Sequence, residues 1–165
     1  MYGWQGGYFD GFMVSKINFT DFLRAKYILF TLVSTVTFLL TIPYVYFGWR
    51  ILLLQFVMYL WNIGVNTTLV LFFANRNSKR IDLSKGAAFN WEGVGVTQLL
   101  MSFPLMALPY LFYMPLKIWV NSNVGLAVLG IIGLVMLITR GYWIKYLAAD
   151  LEKRKYKVME GFRNK

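Results

Sequence analysis

The sequence predicts an all-α, polytopic membrane protein with four transmembrane helices, and three observations carry that prediction. Four stretches contain no Asp, Glu, Lys or Arg: Tyr27–Trp49, Ile51–Asn75, Gly93–Leu116 and Ile118–Thr139, of 23, 25, 24 and 22 residues. At about 1.5 Å of rise per residue, each reaches across a hydrocarbon core of about 30 Å. Seventeen basic and seven acidic residues are confined to what remains. Fifteen of the seventeen basic residues fall on one side: three before the first span, four between the second and third, and eight after the fourth. Basic residues in short loops mark the cytoplasmic side. Both termini and the middle loop are therefore expected inside a multi-pass protein of the cytoplasmic (inner) membrane. Arg50 and Lys117 stand alone in the outer connections.

In chain order, Met1–Ser15 lacks the basic start and unbroken apolar run of a signal peptide. Its Tyr2, Trp4, Tyr8, Phe9 and Phe12 suit a membrane interface. It reads either as an amphipathic interfacial segment or as the end of a preceding membrane helix. Residues 16–26 follow as a cytoplasmic turn and a helix start. Asn18 is placed to cap, with Asp21 three residues on, where a carboxylate meets the positive end of the helix dipole. Arg24 and Lys26 lie at the headgroups.

Polar residues recur at helical spacing inside the first three spans. Ser34, Thr37, Thr41 and Tyr44 share a face of span one; Gln55, Tyr59, Asn62 and Asn66 share a face of span two; Gln98 and Ser102 are one turn apart on span three. Amides and hydroxyls facing lipid are costly, so these stripes are expected to turn inward. They serve either as interhelical hydrogen-bonding contacts or as the wall of a substrate path or subunit interface. None is charged, which argues against a proton relay.

Arg76–Gly93 is a charged cytoplasmic loop, where Asp82 and Glu92 are two of the seven acids and Asn90 could cap the next helix. Span three holds Pro104, Pro109 and Pro115. These predict either a broken or re-entrant outer half, with Ile118–Asn123 as a lip, or one kinked helix and a short loop. Span four lines up Ala127, Gly130 and Gly133 on one flank, a pattern for close helix packing. Residues 140–165 form a basic cytoplasmic tail, expected to continue as a helix on anionic headgroups.

Composition excludes a good deal. With no Cys and no His, thiol nucleophiles, iron–sulfur ligands and the commonest general base are absent. There is no P-loop signature. No enzyme activity, cofactor or metal is expected. A net charge of +10 could suggest nucleic acid, but 58% apolar composition leaves no soluble basic domain. The bilayer is the expected partner of that charge.

The stretch from Lys16 to Lys26 resembles a pattern of ABC-type exporter permeases of the O-antigen and drug-efflux class, found just before the third of their six membrane helices. Ile17, Asn18, Phe22, Leu23 and Lys26 match, with Asn for Ser and Phe for Tyr; Lys16 stands where those permeases have Pro. More narrowly, residues 7–11, 62–66, 79–86 and 89–93 resemble an uncharacterised family of membrane proteins from Bacteroidota. That resemblance implies that the chain is the C-terminal part of a longer protein. That family brings no established activity; the permease resemblance implies a permease-like subunit working with a separate P-loop ATPase, in a homodimer. Asn18, Asp21, Arg24, Lys26, Asp82 and Glu92 would then dock the partner. A non-transporting membrane scaffold or assembly factor with the same fold is the alternative.

Overall fold

The structure is a computed structural model that describes Gly11, residues 17–77 and residues 96–163, the last with backbone alone at 96–99 and 161–163. The expectations for Met1–Ser15 (Gly11 apart), Lys16, Asp82, Asn90 and Glu92 fall outside the described residues.

Among the described residues the chain forms five helices. Helix α1 runs from Phe19 to Thr41 as α-helix and tightens into a 3₁₀ turn over Ile42–Phe47. Asn18 caps it as expected: its side chain accepts from the Thr20 N–H at 3.0 Å, and its carbonyl accepts from Asp21 and Phe22. Pro43 sits in the first turn of the 3₁₀ segment, where a missing N–H costs little. Gly48 then reverses the chain at φ +136°, a conformation essentially reserved for glycine.

Helix α2 spans Trp49–Ala74 and contains a π turn over Asn62–Asn66. A π turn carries an extra residue and loosens the ordinary i→i−4 pairing. Hydroxyls occupy the carbonyls there: Thr67 Oγ1 donates to Asn62 O at 2.9 Å, Thr68 Oγ1 to Gly64 O at 2.8 Å, and Tyr27 OH from α1 to Ile63 O at 2.6 Å. In hydrocarbon no water could do this.

Helix α3 (Val96–Trp119) stays continuous through its three prolines. The broken or re-entrant form is therefore not adopted; one helix and a short connection are. Asn121 caps α4 (Ser122–Ile138), accepting from the Asn123 N–H at 3.2 Å, and Tyr113 OH hydrogen-bonds Ser122 Oγ at 2.9 Å across the turn. Helix α5 (Arg140–Arg163) departs from α4 at a 64° bend. At the bend Thr139 Oγ1 donates to Val135 O at 2.8 Å and accepts from Trp143 Nε1 at 3.1 Å.

The expectation of four membrane spans is corrected. Among the described residues, two helices are long and apolar enough to cross a bilayer, Phe19–Phe47 and Trp49–Ala74, or three if the bent α4–α5 pair counts as one span. The fourth uncharged stretch yields only 17 residues of helix before Thr139 ends it, about 25 Å of rise against a core of about 30 Å. The third, described from Val96 onward, carries three prolines and Lys117 within the helix. Freedom from charge was the wrong criterion. Helix length and apolarity decide, and polar caps and bends intervene within uncharged sequence. The chain remains a helical membrane protein with long apolar helices.

Two apolar clusters hold the helices. In one, Val57, Trp61 and Val65 of α2 pack on Leu129 of α4. Here Gly64 and Gly133 bring the backbones together: a Cβ on Gly64 would strike the Gly133 carbonyl. The flank read as small in span four is thus a contact surface. The second cluster joins Leu23 and Tyr27 of α1, Leu71 and Ala74 of α2, and Ile144, Leu147, Ala148, Leu151 and Val158 of α5. The basic C-terminal helix therefore packs on the ends of α1 and α2, which its charge alone did not announce.

Candidate functional site

Helices α1 and α2 are joined at one end by the reversal at Gly48 and close against each other at the opposite end. At the closed end Tyr27 is buried against α2. Above it the two helices enclose an open groove of about 440 Å³. Its polar wall gathers Ser34, Thr37 and Thr41 from α1 and Gln55, Tyr59, Asn62 and Asn66 from α2, with Val33, Phe38, Leu54 and Met58 between them. These are the stripes predicted for spans one and two, brought face to face by the reversal at Gly48.

The groove is hydrogen-bonded along one rail. Trp61 Nε1 donates to Asn66 Oδ1 at 3.1 Å, Asn66 Nδ2 to Asn62 Oδ1 at 3.2 Å, and Asn62 Nδ2 to Ser34 Oγ at 2.9 Å. Because Nδ2 and Oδ1 of one amide are used at Asn62, its orientation is fixed by both neighbours. Tyr59 OH pairs with Thr35 Oγ1 at 2.9 Å, a residue the sequence reading passed over, and the Tyr59 ring stacks on Phe38 with centroids 4.9 Å apart. Thr35 was legible as one turn from Thr31; both hydroxyls return to carbonyls four residues back. Thr37 and Thr41 likewise donate to Val33 and Phe38 carbonyls, at 2.9 and 2.8 Å, leaving their oxygen lone pairs toward the groove.

Gln55 differs from the others. Its Oε1 is buried and has no hydrogen-bond partner among the described residues. An unmatched acceptor in an apolar setting costs about 1–3 kcal/mol. Among the described residues, no Asp, Glu, Lys or Arg lines the groove, so it offers donors and acceptors but no counter-charge. Among the described residues, no group of acidic side chains could hold a metal ion.

The remaining predicted site residues lie elsewhere. Tyr44 is exposed in the 3₁₀ turn beside Phe47. Ser102 lies on α3 and does not line the groove, and Gln98 is on the same helix with its side chain outside the described residues. Asn18, Asp21, Arg24 and Lys26 occupy the first two turns of α1, at its opposite end. Asp21 and Arg24 form an exposed pair at 3.7 Å, and Lys26 lies over the Phe22 ring at 5.6 Å.

That end also carries an ion cluster which the sequence did not reveal. Asp150 of α5 accepts from Arg76 Nη1 at 3.2 Å, Arg154 Nε at 3.0 Å and Asn75 Nδ2 at 3.4 Å. Asn75 is wholly buried and donates to the Leu147 carbonyl at 2.9 Å, while the Arg76 guanidinium stacks 3.4 Å from the Phe72 ring centroid. The end of α2 and the middle of α5 are thereby pinned to one another.

The whole chain, residues 1–165, matches a family described as "Family of unknown function (DUF5687)", and it belongs to that family. No curated protein and no solved structure matches it.

Proposed function

We propose that this chain is a permease-like membrane subunit whose α1–α2 groove receives an uncharged, hydrogen-bonding part of a transported molecule. The observation that supports this reading is the groove itself. Seven polar side chains converge on about 440 Å³ between the two helices most suited to crossing the bilayer, with an unmatched acceptor at Gln55. Six of the seven already make hydrogen bonds within the chain, yet a space of this size remains between them.

Mechanically, α1 is one α-helix from Phe19 to Thr41. It carries Asp21 and Arg24 at its basic end and Ser34, Thr37 and Thr41 in the groove. Leu23 and Tyr27 seat it against α2 and α5, forming a fulcrum between the two. A separate P-loop ATPase acting on the Asn18–Lys26 turns, which face the cytoplasm in this reading, would tilt α1 and change the width of the groove. A second reading, a scaffold that recruits other membrane helices in a homodimer or mixed complex, draws on one observation: none of the most apolar stretch of α1 is buried within the chain.

Purification from the membrane alongside the variants Asp21→Lys and Arg24→Glu tests the arrangement. An associated ATPase should be retained by the unaltered chain and lost from both variants, with their unfolding temperature unchanged. An ATPase that ignores both substitutions, or its absence, removes the permease reading and leaves the scaffold.

A further inference from the structure

A second cavity, of about 210 Å³, adjoins the groove and is almost wholly apolar. Leu54 and Met58 of α2, Pro109, Tyr110 and Tyr113 of α3, and Leu126 and Leu129 of α4 line it. Leu54 and Met58 also line the polar groove, so the two spaces share a wall and both open beside α2. Both shared residues are substantially exposed, at 47% and 37%.

We infer that groove and cavity form one bipartite site for a neutral amphiphile, with a hydroxyl- or amide-bearing head in the groove and a single hydrocarbon tail in the cavity. This rests on the ligand-holding reading of the groove and adds the class of molecule. The chemistry of the walls sets each half. In the groove, Gln55, Asn62 and Asn66 offer amides and Ser34, Thr37 and Tyr59 offer hydroxyls; without a cationic side chain, a phosphate or carboxylate would enter uncompensated. In the cavity, the proline ring, two tyrosine faces and aliphatic side chains present little that a polar group could pair with. A chain of methylenes gains about 0.8 kcal/mol per buried CH₂ in water, but lipid already offers an apolar solvent, so the tail pocket selects by shape and the groove by hydrogen bonding. Gln55 stands one residue from Leu54, at the boundary. Its side chain lines the groove there.

The test uses the full chain in phosphatidylcholine nanodiscs, with a monoacylglycerol bearing a diazirine in its acyl chain and the matching lysophosphatidate as its charged counterpart. The neutral probe should label segments 54–58, 109–113 and 126–129, and unlabelled monoacylglycerol should compete it away while lysophosphatidate does not. Gln55→Leu and Asn62→Leu should each reduce labelling about twofold to tenfold, the value of one hydrogen bond. Leu126→Trp, which fills the tail cavity, should reduce it as strongly. If Leu126→Trp has no effect while the groove variants still do, the amphiphile inference fails and the groove reading stands. Equal labelling by the charged probe overturns the neutral-head claim. Label scattered along the lipid-facing side chains of the helices, and not competed, overturns both. The competition on the unaltered chain decides even if a variant does not fold.

Discussion

Replacing Gly133 by alanine tests the backbone contact that fixes α4 against α2. A Cβ at that position would lie 2.7 Å from Leu60 C, 2.8 Å from Leu60 O and 2.8 Å from Trp61 N. All three are backbone atoms of another helix, so no side chain can swing aside. Ordinary contact begins near 3.4 Å, so the helices must separate locally by about 0.6–0.7 Å, the difference between 3.4 Å and the 2.7–2.8 Å observed. A gap of that order forfeits a quarter to a half of each contact's attraction across the seam. Val57, Trp61, Val65 and Leu129 meet there, and all are nearly or wholly buried. Overpacking of this kind costs about 1–3 kcal/mol, partly offset by the helix preference of alanine over glycine, about 1 kcal/mol. Gly130→Ala is the matched control: its Cβ would meet Val57 side-chain carbons at 3.6 and 3.9 Å, ordinary contact, with room to spare. Thermal unfolding of the purified protein should therefore place Gly133→Ala clearly below the unaltered chain, and Gly130→Ala level with or above it. Equal stability of the two variants would refute the packing argument.

Three further outcomes are expected. Tyr27→Phe leaves the Ile63 carbonyl of the π turn without its 2.6 Å donor in a buried setting, and should cost about 1–3 kcal/mol in the same unfolding measurement. Asp150→Asn strands the Arg76 and Arg154 guanidiniums; with Asp150 only 15% exposed, the loss should exceed the 0–1 kcal/mol of about average surface pairs and fall short of about 3–5 kcal/mol for a fully buried one. Hydrogen exchange at the end of α2 should rise with it. Gly48→Ala forces an L-residue to φ +136° in the reversal between α1 and α2, so about 1–3 kcal/mol should be lost although a Cβ there meets nothing within 4 Å.

Which parts were legible in the sequence follows from the range of the forces involved. The Asn18 cap and the polar faces of α1 and α2 are set by neighbours within three or four residues, and both appear where the spacing placed them. Small residues at Gly130 and Gly133 announced close packing, but not that Gly64 on a π turn would meet them. Nothing in the pattern of residues 62–66 distinguishes a π turn from an α turn, and one donor to its carbonyls, Tyr27, comes from 36 residues away. The seat of α5 was hidden for the same reason. Leu147 and Leu151 read as the apolar side of a basic surface helix until the 64° bend at Thr139 turns them onto Leu23 and Leu71. Counting spans by charge alone failed at Thr139, because a hydroxyl-bearing residue can end a helix within apolar sequence without adding a charge.

The central claim is that the α1–α2 groove remains open and polar within the membrane. Because the chain has no cysteine, single thiols report on it directly. Ser34→Cys and Thr37→Cys place a thiol in the groove, while Val36→Cys and Leu40→Cys place one on the exposed apolar side of the same helix, where the native residues are 55% and 73% exposed. A thiol reacts as its thiolate, which needs a polar surrounding. In proteoliposomes treated with a hydrophilic maleimide, the account predicts modification at positions 34 and 37 and none at 36 and 40. Equal modification at all four, or none at 34 and 37, would contradict it.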